Sequence, residues 1–452
     1  MATAAEQLAG FCTGLRFDAL PAEVVERTKD LLLDYLGVGY RGMAVNSSQA
    51  ALRAAKSLGG AGCSTLFGQG EAMPAAWAAL ANGTAAHATE MDDVTTKSSL
   101  HPGVAVWPAT LALGEELGAS PEATLTAAVA GYEVVMRVGN ALNPASAYER
   151  GFHPTGVAGA FGATAAAASL LGLDTPRFVH ALGIAGTMAS GSLEYLSGGA
   201  WTKRLNAGWA AHAGVVAARL AAEGFTGPAT SIEGPLGALH AYTHAPLLEE
   251  ATARLGESYQ VMRVSIKPYA CCRYNHGLID CMLQLRARVP SPDDVEDIRL
   301  GVLSGGYLLV ADPIERKRQP ANVVDAQFSA PFAAAVALVH GRAGLPEYTQ
   351  ASVEDPRIRR LMARTTCYRD AELDAGYPAL WPAAANIRLR SGEVLEARQP
   401  YPLGEPENPV SSEALAAKFR QLVHHPWAED AIQAVYDLPA GSLPALMALF
   451  RN

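Results

Sequence analysis

The run from Thr155 to Leu173 carries no charged residue and is made mostly of Ala and Gly. Few structures accept such a stretch. It resembles a membrane span in length, yet Ala and Gly supply little of the insertion free energy that Leu or Phe would bring. The stronger reading is a buried helix, starting after Pro154, with so little side-chain bulk that neighbouring helices approach closely. A chain of 452 residues, half of them apolar, exceeds the length of about 250–300 residues at which a single core stops growing, so two domains are expected.

The remainder of the first half is also helical in pattern. Val24, Val25, Leu31, Leu32, Tyr35 and Leu36 follow three-to-four spacing over Pro21–Leu36, with Gly37 expected to end that helix. Further helices are expected from Pro74 to Asn82, from Ala105 to Leu117, from Pro121 to Leu142 with Ser120 as N-cap, and from Trp209 to Glu223. After about Gln260 the period changes. Arg263–Lys267, Ile298–Val302 and Ile387–Arg390 alternate polar and apolar, as half-buried strands do, and the last turns through Ser391-Gly392 into Val394-Leu395 as a hairpin. Helices are expected between them at Asn275–Arg288 and Ala330–His340. Pro400, Pro402, Pro406 and Pro409 mark a connection, after which Ser411–Val423 resumes helical spacing. The expected fold is mostly α: a large all-helical domain formed by the N- and C-terminal parts (1–263 and 401–452) with an inserted α+β domain (264–400). The two crossings between the domains would flank a cleft suited to a small molecule.

Charge and cysteine content narrow the partners. A net charge of −9 argues against nucleic acid and against an anionic membrane surface, so any anionic ligand must be held by locally placed Lys and Arg. Cys12, Cys63, Cys271, Cys272, Cys281 and Cys367 form no CxxC and no ligand-like spacing, as expected of reduced thiols in a cytoplasm. The N-terminal Met-Ala-Thr-Ala-Ala-Glu-Gln lacks a basic start and an apolar core, so no signal peptide is read.

Chemistry concentrates in a few segments. Asn82–Gly103 sets His87, Glu90, Asp92, Asp93 and His101 in an otherwise Ala-rich, largely uncharged region, where unpaired charge is costly to bury. His87, Glu90 and Asp93 are spaced by threes, as on one face of a helix end, and His101-Pro102-Gly103 turns the chain. Gly151-Phe152-His153-Pro154 sets an imidazole at a helix start, suited to an anionic ligand. Ser197–Asn206 carries Lys203 and Arg204 on a Gly-rich loop that lacks the Gly-x4-Gly-Lys-Ser/Thr phosphate pattern. Lys267–His276 gathers Lys267, Cys271, Cys272, Arg273 and His276 where the sheet-bearing region begins.

In their order, the Glu-Met-Asp-Asp block, Phe-His-Pro-Thr-Gly before an Ala/Gly helix, Thr-Lys-Arg-Leu-Asn-Ala-Gly, and Lys-Pro-Tyr-Ala-Cys-Cys-Arg-Tyr resemble the MmgE/PrpD family over essentially the whole chain. That family includes 2-methylcitrate dehydratase, cis-aconitate decarboxylase and iminodisuccinate epimerase. The resemblance implies a helical domain with an inserted α+β lid, and a homodimer that works without metal or organic cofactor on a small di- or tricarboxylate. It carries active-site positions to Glu90, Asp92, Asp93, His101 and His153 and the substrate-carboxylate lysines to Lys203 and Lys267. Catalysis is expected of His101, His153, Glu90, Asp93, Lys203 and Lys267, and substrate contacts of Asp92, Arg204, Arg273, His276 and Cys272. Cys272 and Phe332 stand where the decarboxylase carries His and Tyr. The shared chemistry is a carbon-acid step beside a carboxylate, which needs a base and cations for the charge that builds up. Either histidine fits as base with the other as acid. Dehydration is slightly favoured over epimerisation and decarboxylation, and an inactive carboxylate-binding protein is the alternative outside enzymology.

Overall fold

The computed structural model describes residues 2–452 and is 59% helix and 8% strand, a mostly α protein. Its contacts divide the chain into two compact units. One comprises the residues up to Ala88, Asp92–Val264 and Ser411–Asn452, and the other comprises Thr89–Met91 and Ser265–Val410.

The first unit is helical and is built around Pro154–Leu170, buried at every position from Pro154 to Ala168. The helices Pro121–Ala141, Thr202–Ala222, Gly103–Leu117 and Thr175–Met188 pack against it. Small residues permit this. A Cβ on Gly131 would come within 3.1 Å of the Gly162 carbonyl oxygen, and one on Gly162 within 2.9 Å of the Gly131 oxygen. The uncharged run is thus the hub of a helix cluster. Ser120 caps its helix by accepting from the Ala123 amide, as its sequence position predicts. Among the described residues, no helix is long and apolar enough to cross a membrane.

The first long helix departs from expectation at its end. It runs Ala22–Met43, straight through Gly37, because its glycines serve close packing and not termination. A Cβ on Gly39 would lie 2.5 Å from the Phe67 ring, and one on Gly42 would overlap the Ala85 carbonyl. The C-terminal helix Ser412–Val423 packs on this same helix, and there Lys418 Nζ meets Asp34 Oδ1 at 2.5 Å, both groups buried.

The second unit holds a four-stranded sheet in the order Thr365–Arg369, Val295–Val302, Ala383–Leu389, Val394–Gln399. The last two form the expected hairpin, with Ile387 opposite Leu395 and Gly392 at φ +89° in the turn. The first strand pairs parallel to Val295–Val302 and has no sequence counterpart in the expectations, because Thr-Thr-Cys-Tyr-Arg shows no apolar alternation. Arg263–Lys267 is not a strand. Gln260–Arg263 forms a 3-10 turn, and beyond it the Ile266 amide donates to the Gly404 carbonyl at 3.0 Å. Val264 and Ile266 are buried there without a ladder. The helices His276–Arg286 and Ala330–His340 cover this unit's core.

Candidate active site

The helix Ala75–Ala86 ends at His87, whose amide donates to the Gly83 carbonyl at 3.3 Å. From there to Pro102 the chain is not helical, and Glu90 takes a left-handed φ of +58°. His87, Glu90 and Asp93 therefore do not share a helix face, contrary to their spacing. Side chains of this loop satisfy one another instead, a competition with helix that Asp, His and Thr commonly win. The Thr95 amide donates to the Leu100 carbonyl at 2.9 Å, closing the loop on itself.

Asp92, buried, is the centre of the cluster in the first unit. Its Oδ2 lies 2.7 Å from His87 Nδ1 and 2.9 Å from His101 Nδ1. His101 Nδ1 also lies 2.8 Å from the Asp93 carbonyl oxygen. Both neighbours of that nitrogen are acceptors, so Nδ1 carries the proton and Nε2 is left with the lone pair. The Asp93 carboxylate is occupied elsewhere: Oδ1 accepts from the Gly103 amide at 2.9 Å and Oδ2 from Tyr132 Oη at 2.7 Å. Burial pushes Asp93 up to about 7, against the lowering effect of Tyr132 and Gly103. Asp93 thus fastens the loop to two helices and lends His101 its backbone oxygen.

His153 is the N-cap of the Pro154–Leu170 helix, as its place before Pro154 leads one to expect. Asn206 Nδ2 donates to its Nδ1 at 3.2 Å, so the neutral ring carries its proton on Nε2, the opposite arrangement to His101. Burial, followed by the neighbouring His87, Lys203 and His101, holds His153 well below the ordinary imidazole range and keeps it neutral. The His87 ring stacks on His153 at 5.9 Å between centroids and meets His101 edge-on at 4.8 Å. Lys203 and Arg204 are not on a flexible loop. They sit in the first turn of the helix Thr202–Ala222, buried. Asn206 follows Lys203 by three residues, so one helix face presents both. Arg204 Nη1 donates to Ser47 Oγ at 2.8 Å.

In the second unit Lys267 is fully buried. Its Nζ donates to the Glu90 carbonyl at 2.9 Å, lies 3.7 Å from Glu90 Oε2, and reaches the Cys271 carbonyl at 3.4 Å. Arg273 grips Glu405 Oε1 through Nε and Nη2 at 3.1 and 2.6 Å, the Leu403 carbonyl at 3.1 Å, and His276 Nδ1 at 2.9 Å. Arg273 and His276 therefore tie Cys272–His276 to the segment around Glu405. The Cys272 amide donates to the Gln327 carbonyl at 2.9 Å. Phe332 is buried and edge-on to Tyr348 at 5.2 Å.

Two residues of the first unit's cluster had no assigned role in the sequence reading. His87 stood in the Asn82–Gly103 segment without a function, and its spacing of five from Asp92 gives no helical signal. Asn206 could have been found by its three-residue offset from Lys203. Among the described residues, His87, Asp92 and His101 also form the group whose donor atoms, within 4.8 Å of one another, could surround a metal ion. Each imidazole lies at N–H···O hydrogen-bond distance from Asp92, and His101 Nδ1 also faces a backbone carbonyl. That geometry suits a protonated nitrogen, not a ligand.

Comparison with known proteins gives the family. The profile of the MmgE/PrpD N-terminal domain matches residues 6–251 and that of the MmgE/PrpD C-terminal domain residues 269–437. The chain is 28% identical over 457 residues to cis-aconitate decarboxylase of Aspergillus terreus, covering 96% of this chain and 92% of that one. To cis-aconitate decarboxylase of Homo sapiens it is 27% identical, over 92% of this chain and 86% of the other. A mitochondrial 2-methylcitrate dehydratase of Yarrowia lipolytica is 27% identical over 147 residues, which is 30% of this chain and 28% of that one. These relatives are named for lyase reactions on small carboxylates. With both domains matched in order along one chain, this protein belongs to the MmgE/PrpD family.

Proposed function

We propose that the protein is a lyase acting on a small di- or tricarboxylate by proton transfer at the carbon next to a carboxylate, with His101 as base and His153 as acid. The observation that carries the reading is the opposite setting of the two Nδ1 atoms: that of His101 faces two acceptors and that of His153 an amide donor, an arrangement that leaves the lone pair on Nε2 of a neutral His101 and the proton on Nε2 of His153. Asp92 stabilises the imidazolium that His101 becomes when it takes the carbon-bound proton. Lys203 supplies positive charge for the aci-carboxylate that forms. Lys267 and Glu90 keep the roles that the family resemblance gives them.

Dehydration uses both imidazoles. The carbon–hydrogen electron pair moves into the new C=C, the neighbouring C–O bond breaks, and the departing hydroxide takes the proton from His153 Nε2 to leave as water. Hydroxide is a stronger base than imidazolate, and the Asn206 N–H at Nδ1 stabilises the ring that loses its proton. Neutral imidazole serves as the electrophile in other enzymes. The proton on His101 then returns to His153 through solvent, which resets the pair. Decarboxylation needs a single proton donor, so it leaves one of these imidazoles unused. Cys272 and Phe332, in place of the His and Tyr that the resemblance gives the decarboxylase, weaken decarboxylation. The second reading, decarboxylation of a cis-aconitate-like acid, is favoured by the relatives that match along nearly the whole chain.

A homodimer accompanies this reading. Leu205, Trp209 and Leu220 recur at helical spacing along Thr202–Ala222 and are exposed by 42%, 38% and 37%, a row that favours cover by a second copy.

The reaction is assigned by product. Purified protein is given hydroxy-tricarboxylates and unsaturated tricarboxylates in turn, and ultraviolet absorbance and released CO₂ are recorded. A rise from a new C=C with no CO₂ is expected. CO₂ release equal to substrate consumed would move the assignment to the decarboxylase, and epimerised substrate with neither signal to an epimerase. Binding without turnover would leave a carboxylate-binding protein.

A further inference from the structure

His87 is fully buried, and its Nε2 has no hydrogen-bond partner. A buried imidazole with one nitrogen unpaired to the protein costs free energy, which turns attention to the other nitrogen. That nitrogen, Nδ1, lies 2.7 Å from the same Asp92 oxygen that His101 Nδ1 approaches at 2.9 Å. Two N–H groups thus divide one carboxylate oxygen. A carboxylate that already accepts one strong hydrogen bond is a weaker partner for a second.

We propose that His87 is a positioning residue for His101: by sharing Oδ2 of Asp92 it fixes where that carboxylate points and lowers the basicity of the His101 ring. This rests on the reading of His101 as the base. The other groups around the pair are fixed parts of the same setting. They are the Asp93 carbonyl and carboxylate, Tyr132 from the helix Pro121–Ala141, Asp34 from Ala22–Met43, His153 at the start of Pro154–Leu170, Thr155 Oγ1 on the His101 amide at 3.2 Å, and Lys203 from Thr202–Ala222. His87 and His101 both approach Oδ2 of Asp92.

The sign follows directly. Removing the His87 donor returns the full strength of Asp92 to His101, which favours the imidazolium and raises the pH at which His101 loses its proton. One hydrogen bond to a charged group corresponds to a shift of about one pH unit. The test uses long-range proton–nitrogen spectra of the ligand-free protein, which report the tautomer and titration of each imidazole without any turnover. His101 is expected as the Nδ1–H tautomer in the native protein. In His87→Leu its titration moves up by about one unit. In His87→Asn, whose amide nitrogen occupies the place of Nδ1, it stays at the native value. Should the leucine variant fail to fold, His87→Asn is compared with His87→Gln, whose amide lies one bond further out: a native titration in the first and a raised one in the second supports the proposal. Equal titration across the native protein and all variants overturns it, as does a downward shift. With substrate, the acid limb of the kcat/KM profile moves with the titration. If the titration shifts but no variant or native protein exchanges a carbon-bound proton of any polycarboxylate, the functional reading fails while the placement of His87 stands.

Discussion

His101→Ala is expected to lower turnover by about 10³-fold, within the range that a positioned base contributes, and to leave thermal stability nearly unchanged. Two features set this size. The ring is backed by Asp92 and by the Asp93 carbonyl, so its Nε2 is both oriented and supported when it becomes charged. Its side chain is 12% exposed and Asp92 keeps the His87 N–H when His101 is gone, so no buried carboxylate is left without a donor. His153→Ala and Lys203→Ala should each cost about 10²-fold or more. Rate at saturating substrate and the unfolding midpoint, measured on the same preparations, check this. A large loss of stability with little change in rate would assign these side chains to the architecture.

Gly208→Ala is expected to destabilise the protein by roughly 3 kcal/mol and to lower turnover with it. Gly208 lies on the helix that carries Lys203 and Asn206, and a Cβ there would overlap Thr84 Oγ1 and the Leu80 carbonyl of the helix Ala75–Ala86. Backbone cannot swing aside as a side chain can, so the two helices must part, and overpacking of this kind costs about 1–3 kcal/mol or more. Helix propensity returns only about 1 kcal/mol of it. The movement reaches the Asn206–His153 hydrogen bond two residues away. Gly10→Ala is the matched control: it is also within a helix, with nothing within 4 Å of the added Cβ, and should raise stability by about 0.5–1 kcal/mol. Thermal unfolding of the three proteins, with turnover measured alongside, separates the two cases.

The residues differ in how openly the sequence shows their place. His153 was legible because a proline follows it, and Pro at the first helical position is a local rule that tertiary contacts rarely overturn. The Ala/Gly helix was legible from composition alone. The block from His87 to His101 was legible as chemistry but not as geometry. Its threefold spacing imitates a helix, while the actual loop is set by hydrogen bonds among its own side chains and by a left-handed residue at Glu90. Lys203 and Arg204 read as loop residues because Gly198 and Gly199 precede them, although the helix already begins at Thr202. Gly37 misled for the opposite reason: glycine near a helix end and glycine at a helix crossing read alike until the partner helix is known. The hydrogen bonds that give His101 and His153 opposite tautomers join residues 53 apart in one case and depend on a loop turn in the other, so no spacing rule reaches them.

The claim that His101 moves a proton from carbon is tested most directly in deuterated water. The native protein is incubated there with the polycarboxylate it turns over, and product and recovered substrate are analysed by mass spectrometry and proton NMR. One deuterium is expected at the carbon beside a carboxylate in the recovered hydroxy acid, where the reverse step returns a solvent deuteron, none from that step in the unsaturated product, and none above background in either with His101→Ala. Recovered hydroxy acid that stays free of carbon-bound deuterium while the reaction comes to equilibrium, or labelling that proceeds at the native rate in His101→Ala, contradicts it.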